Sequence, residues 1–182
     1  MQKKVHNGVN LYLVGFMGTG KSTIGRRVAE ELKMTFVDSD NAIEKVAGMR
    51  VSEIFEKHGE AHFRTLEREF VDDGHPAGGT VVACGGGLIV QPGMLELLQT
   101  KGVIVCLVAS EETILNRVSG NRNRPLLNVE DQSKHVHELL KEREPIYKRV
   151  NTRIMTDHRP VSSVVIHLIR SYHDEARRFS KA

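Results

Sequence analysis

Gly15-Phe16-Met17-Gly18-Thr19-Gly20-Lys21-Ser22 holds two glycines with four residues between them, followed by Lys-Ser. This is the pattern of a phosphate-binding loop, and its surroundings agree with it. Val9 to Val14 is an apolar, β-branched run that reads as a buried strand. From Lys21 to Leu32 the apolar residues Ile24, Val28, Ala29 and Leu32 recur at helical spacing. Strand, glycine loop and helix start thus come in the order the motif requires.

A polyphosphate needs several backbone N–H groups turned inward around it, which a loop achieves where glycine admits unusual dihedrals. Gly15, Gly18 and Gly20 have that freedom. Thr19, Lys21, Ser22 and Thr23 complete the loop and open a helix whose N–H groups and positive dipole end face the anion. Lys21 is placed to reach the terminal phosphates, and the Ser22 hydroxyl to ligate Mg²⁺.

At 182 residues, with 40% hydrophobic and 27% charged side chains, the chain fits one soluble globular unit and gives no case for disorder. The net charge of +3 is spread among interleaved acidic residues, which suits an enzyme of anionic ligands better than a nucleic-acid binder. Cys84 and Cys106 lie in apolar runs without C-x-x-C spacing, so both read as core residues. No apolar run approaches the roughly 18 to 20 residues that span a bilayer, and Met1 to Gly8 lacks the apolar core of a signal peptide. The expectation is a cytoplasmic protein without membrane or nucleic-acid partners.

Downstream of the loop, Thr35-Phe36-Val37 reads as a short strand ending in Asp38-Ser39-Asp40, with two carboxylates where open α/β sheets bind ligands. Residues from Asn41 to about Asp73 read as successive helices broken near Gly48 and Gly59. Thr80 to Cys84 is a buried strand that runs into Gly85-Gly86-Gly87. Either a flexible turn or a close approach of backbone to ligand explains three glycines there, and the strand's C-terminal position favours the second. A helix over Gln91 to Thr100, a strand over Gly102 to Val108 and a helix over Glu111 to Val118 follow. Ser119 to Asn128 is polar, arginine-bearing and aperiodic, the composition of a lid. Ser133 is the expected N-cap of a helix to about Val150, bent at Pro145, before a strand at Thr152 to Met155 and a final helix opened by Pro160. This alternation predicts an α/β fold with a parallel sheet of about five strands covered on both faces.

Phosphoryl transfer calls for a metal site, cations for the moving phosphate and a place for the acceptor. Asp38 suits either Mg²⁺ or a helix cap. Asp40 suits either an acceptor hydroxyl or the N-cap of a helix starting at Asn41. Arg64 and Arg143 taken singly are better explained as surface charges. From the residues alone, the chain is a phosphate-loop nucleotide enzyme or switch, with a small-molecule kinase favoured by its length and its arginine-bearing loop.

Several blocks together carry a family resemblance. They are Gly15 to Thr23, Phe36 to Asp40, Ile54-Phe55 with Gly59-Glu60, Phe63-Arg64 with Glu67, Gly85 to Gly87, Arg124-Pro125-Leu126-Leu127, and Arg143 with Tyr147. In this order and spacing, over about residues 10 to 165, the chain resembles shikimate kinases. The resemblance implies transfer of the ATP γ-phosphate to the 3-hydroxyl of shikimate, in a nucleoside-monophosphate-kinase-like fold with strand order 2-3-1-4-5. It implies that Asp40 holds the acceptor hydroxyl, Arg64 and Arg143 clamp the carboxylate, and the Gly86 N–H supports the ring side. Glu67 would fix Arg64, Asp38 would serve the metal, and Arg124 would descend with a lid at about 119–133 onto the phosphates. Arg117 and Arg159 fall near the family's adenine contacts. The strand before Gly85 lacks a terminal aspartate, which matches this family because its metal residue is Asp38. A single monomeric domain over 1–182, with a helical insertion at about 40–73, is expected.

A gluconate kinase would share the phosphate loop, and the two arginines with Gly85 to Gly87 favour shikimate. A nucleotide switch or nucleic-acid-dependent ATPase would bind nucleotide without acceptor-dependent turnover.

Overall fold

The computed structural model describes residues 8–118 and 132–180. Five parallel strands form one sheet in the order β2-β3-β1-β4-β5: β1 (Asn10–Val14), β2 (Thr35–Asp38), β3 (Thr80–Ala83), β4 (Gly102–Val108) and β5 (Thr152–Met155). The expected strand count and order are both found. Pairing of Asp38 with Ala83, of Leu13 with Ala83 and of Val14 with Cys106 brings the strands' C-terminal ends to one edge. The segments that follow β1, β2 and β3 therefore meet there, as ligand-binding segments of open parallel sheets do.

Alternate residues of the central strand serve opposite faces, as the two-residue period of a strand dictates. Leu11 and Leu13 pack with Ile24, Val28 and Leu32 of α1 (Lys21–Leu32) and with Val164, Leu168 and Tyr172 of α7 (Val161–Phe179). Tyr12 and Val14 join the other core layer, with Ile43 of α2 (Ser39–Ala47), Ile54, Phe63 and Phe70 of α3 (Val51–Asp73), Leu98 of α4 (Met94–Lys101), Ile114 of α5 (Glu111–Val118) and Tyr147 of α6 (Gln132–Lys148). Cys84 and Cys106 are buried in that second layer as free thiols. Among the described residues no helix is long and apolar enough to cross a membrane.

The helical segment after β2 breaks where the glycines stand. Gly48 closes α2 in the left-handed region, and Gly59 kinks α3 with φ 81° and ψ 170°. Nothing lies within 4 Å of a Cβ built on Gly59, so its backbone dihedrals, rather than crowding, call for glycine.

Three boundaries differ from the sequence expectation. α2 begins at Ser39 with Asp38 as its N-cap, so Asp40 lies inside the first turn and does not cap a helix at Asn41. The helix expected over Gln91 to Thr100 begins only at Met94 as α4, after a 3-10 turn, η1 (Leu88–Val90), because Pro92-Gly93 precedes it. α6 already includes Gln132, so Ser133 lies within its first turn. The expected lid at 119–133, and Arg124 with it, lies outside the described residues apart from the start of α6.

Candidate active site

The phosphate loop joins β1 to α1 beside β4. Gly15 has φ 131°, and a Cβ there would stand 2.2 Å from the Leu107 carbonyl oxygen of β4, so only glycine lets the loop leave the sheet this closely. Gly18 and Gly20 also have positive φ, and Gly20 is the N-cap of α1 without a side-chain cap bond, leaving the helix N–H groups to an anion. The Thr19 hydroxyl donates to the Phe16 carbonyl at 2.8 Å. Lys21 Nζ arches back over the loop, donating to the carbonyls of Gly15 at 2.8 Å and Phe16 at 2.9 Å. Ser22 and Thr23 occupy the first turn of α1, with Thr23 exposed.

At the end of β2, Asp38 fills both roles left open by its sequence. Its Oδ1 accepts from the Asn41 N–H at 3.4 Å as the α2 cap, while its Oδ2 accepts from Ser22 Oγ at 2.7 Å. The contact with Ser22 brings two hard oxygen donors together at the base of the phosphate loop. This suits Mg²⁺, which takes one or two protein oxygens and completes its shell with water and substrate phosphates.

Asp40 lies two residues further on, in the first turn of α2. Burial pushes its carboxyl above the usual carboxylate range and the nearby Asp38 charge adds to this, while Lys21 and the Ser39 hydroxyl pull it down. Ser39 is fully buried; its Oγ accepts from the Gly85 N–H at 2.8 Å and donates to Asp40 Oδ1 at 3.3 Å. A hydroxyl between two aspartates thus ties the carboxylate to the glycine run, a role that its sequence position alone did not reveal.

The triple glycine shapes one wall of the site. A Cβ at Gly85 would stand 2.5 Å from Asp40 Oδ1, and one at Gly87 would stand 2.7 Å from both terminal nitrogens of Arg64. Gly86 is less confined, with Met17 N at 3.4 Å and Arg143 Nη1 at 3.8 Å from a built Cβ. Its carbonyl accepts from the Tyr147 hydroxyl at 2.7 Å. The two flanking glycines therefore make room for the functional side chains, and Tyr147 orients the middle one.

Arg64 and Arg143, 79 positions apart, converge on this floor. Arg64 Nη1 donates to Glu67 Oε2 at 2.6 Å, and its Nε and Nη2 donate to Glu60 Oε1 at 3.1 and 2.7 Å. Glu67 is buried, and burial lifts its carboxyl to about 7 against the opposing pull of Arg64. Gln91 also reaches it, donating from Nε2 to Oε2 at 2.7 Å, a contact that no sequence pattern signals. Arg143 is buried on α6 with its guanidinium 5.8 Å from the Phe16 ring centroid.

One cavity of about 850 Å³ is lined by Lys21, Ser22, Asp38, Asp40, Arg64 and Arg143, with Gly85 to Gly87 along its wall. Arg117 sits at the other flank of the loop, where Nη1 donates to the Gly18 carbonyl and the Thr156 hydroxyl, both at 3.1 Å. Arg159 bonds within the β5–α7 connection, to Met155 O at 3.3 Å and Ser163 Oγ at 3.1 Å. Of the two arginines expected near the nucleotide base, Arg117 is the one that touches the loop.

The chain's similarity to known proteins covers most of this site. A family model described as shikimate kinase matches residues 17–173. The shikimate kinase of Caldanaerobacter subterraneus subsp. tengcongensis is 45% identical over 163 residues, covering 90% of this chain and 95% of that protein. The structure of shikimate kinase from Acinetobacter baumannii in complex with shikimate superposes with a TM-score of 0.86 at 37% identity, covering 94% of this chain and 97% of that one. A gluconokinase from Sinorhizobium meliloti, at 14% identity and TM-score 0.59, shares the fold alone. With Gly18 to Ser22, the paired arginines and the glycine floor inside the matched span, the chain belongs to the shikimate kinase family.

Proposed function

We infer that the chain transfers the γ-phosphate of ATP to the 3-hydroxyl of shikimate, giving shikimate 3-phosphate and ADP. The observation that carries this reading is the single cavity in which Lys21 and Ser22 face Asp40, Arg64 and Arg143. One end offers backbone N–H groups and a cation to a phosphate chain. The other offers two guanidinium groups to a carboxylate and a buried carboxylate to a hydroxyl.

In this reading the loop N–H groups of Gly18 to Ser22 and the Lys21 ammonium hold the β- and γ-phosphates. Ser22 and Asp38 hold Mg²⁺, which neutralises charge on the transferring group when bound. Arg64 and Arg143 fix the acceptor through its carboxylate, a planar anion that suits bidentate guanidinium bonds. Asp40 accepts a hydrogen bond from the attacking hydroxyl and takes its proton as the O–P bond forms. Its position inside the cavity, held by Ser39, defines where that hydroxyl stands. Arg117 belongs to the nucleotide end of the site, and Arg159 and Arg124 are assigned there by family resemblance. We place the enzyme in the cytoplasm as a single monomeric unit without nucleic-acid or membrane partners.

The deciding experiment is ADP release with ATP and Mg²⁺, run with shikimate, with gluconate and with neither. Shikimate-dependent ADP is the expected result. Release that needs no acceptor, or that gluconate stimulates instead, would overturn the assignment.

A further inference from the structure

Arg64 is gripped from two sides of unequal worth. Glu60 is 60% exposed, so its pairing with Arg64 is screened by water and holds the guanidinium loosely. Glu67 is 1% exposed and sets the position of Arg64. What sets the position of Glu67 is less obvious. Arg64 and Glu67 stand three residues apart on α3, and the pair by itself leaves the carboxylate free to turn about its last torsion, a broad and soft one. Gln91, at the end of the 3-10 turn that follows the glycine floor, donates to the same Oε2 at 2.7 Å from outside α3. The other oxygen, Oε1, is buried and has no hydrogen-bond partner among the described residues.

Two donors on one oxygen, arriving from different elements, fix the plane of the carboxylate. They also favour its charged form, against the burial that raises the Glu67 carboxyl. Gln91 itself is not among the residues lining the 850 Å³ cavity.

We propose that Gln91 is a positioning residue of the acceptor site, acting through Glu67 to hold Arg64 over Gly87 in the orientation that receives the substrate carboxylate. This rests on the reading of the cavity as a shikimate site. Because Gln91 touches no substrate, its removal weakens the acceptor without weakening the nucleotide.

The test uses the full chain with Gln91→Met, which keeps side-chain length and removes the amide, and with Gln91→Glu. Gln91→Met is expected to raise the KM for shikimate roughly tenfold, the scale of one charged hydrogen bond, with kcat and the KM for ATP little changed. Gln91→Glu is expected to lose shikimate affinity at about pH 8, where two carboxylates face each other, and to recover it near pH 6, where the two carboxyl groups share a proton and a hydrogen bond joins them again. That recovery separates positioning from packing, and it is read even where Gln91→Met folds poorly. In the substrate-free protein, the side-chain ¹⁵N resonances of Arg64 should broaden and exchange faster in Gln91→Met than in wild type. An unchanged Arg64 signal with unchanged shikimate KM, an equal rise in both KM values, or a pH-independent Gln91→Glu overturns the proposal. If wild type shows no shikimate-dependent ADP release, the acceptor assignment fails, while the Arg64 resonances still decide the role of Gln91.

Discussion

Gly87 and Arg64 are fitted to each other: a Cβ built on Gly87 would stand 2.7 Å from both Nη1 and Nη2 of the arginine. The backbone at Gly87 has φ −92° and ψ −10°, which any residue adopts, so alanine there is a steric change at the guanidinium without backbone strain. Gly87→Ala should therefore weaken shikimate binding at least about tenfold, or ~1.4 kcal/mol, while ATP affinity and thermal stability stay near wild type. Gly86→Ala, whose Cβ meets its nearest neighbour at 3.4 Å, is the milder control. Calorimetric titration of both variants with each substrate checks the contrast, and equal losses in the two would refute it.

Arg64→Lys tests the chemistry of the same pair. An ammonium keeps the charge but cannot form two parallel N–H bonds to a carboxylate, nor span Glu60 and Glu67 at once as the guanidinium does. The expected loss is again at least about 1.4 kcal/mol in shikimate affinity. A titration in which the variant binds shikimate as wild type does would remove Arg64 from the clamp.

Family resemblance, rather than local signals, singles out Arg64 in the sequence, and tertiary contacts explain why it works. The phosphate loop was legible because its strand, glycines and helix are contiguous. The sheet was legible because apolar runs alternate with helices. Arg64 and Glu67 stand at helical spacing, which is consistent with a pairing that the family resemblance implies. Asp38 was left between cap and metal residue because both uses favour the end of a strand, and its two oxygens divide them. The joining residues carried no pattern. Ser39 bonds to Gly85, 46 positions away, and Gln91 bonds to Glu67, 24 positions away, through strand pairing and packing that no local spacing encodes. Pro92-Gly93, which separates η1 from α4, is a local helix breaker that moves the start of the expected helix to Met94.

Glu67 makes stability depend on pH in an unusual direction. Its folded carboxyl titrates at about 7, above the unfolded value near 4.5. Between those values the folded chain holds a proton that the unfolded chain has released, so this group's contribution to stability falls as pH rises through the window. Glu67→Gln removes the titration. Denaturant unfolding at about pH 5 and pH 8 should show the variant gaining on wild type with rising pH, by on the order of 3 kcal/mol at most. A stability difference that does not change with pH would mean that Glu67 is ionised throughout.

The contact between Ser22 and Asp38 predicts a metal phenotype. Asp38→Asn keeps the shape and an acceptor oxygen for the Asn41 N–H, but it removes the charge beside the Ser22 hydroxyl. Half-maximal turnover should then require about tenfold more Mg²⁺, with shikimate affinity intact, since hard cations are held largely by carboxylate charge. A Mg²⁺ titration of turnover that superposes on that of wild type would exclude Asp38 from the metal site.

Asp40 gives the sharpest separation of binding from chemistry. Asp40→Asn preserves size and the contact with Ser39 but cannot take a proton, so kcat should fall by about 10² or more, the usual scale for a general base. Shikimate binding, assigned in the proposed site to Arg64 and Arg143, should persist. In wild type the carboxylate form is the active one, so kcat falls as pH is lowered through the Asp40 titration. Burial and the Asp38 charge raise that titration above the usual carboxylate range, so the acid limb should begin at a higher pH than an exposed aspartate would give. Replacing Asp38 by asparagine removes one of the raising charges and should move the limb to lower pH. The profile of kcat against pH for wild type and Asp38→Asn at saturating Mg²⁺ measures both effects. A limb that does not move, together with an Asp40→Asn variant that turns over normally, would show that the proton leaves by another route.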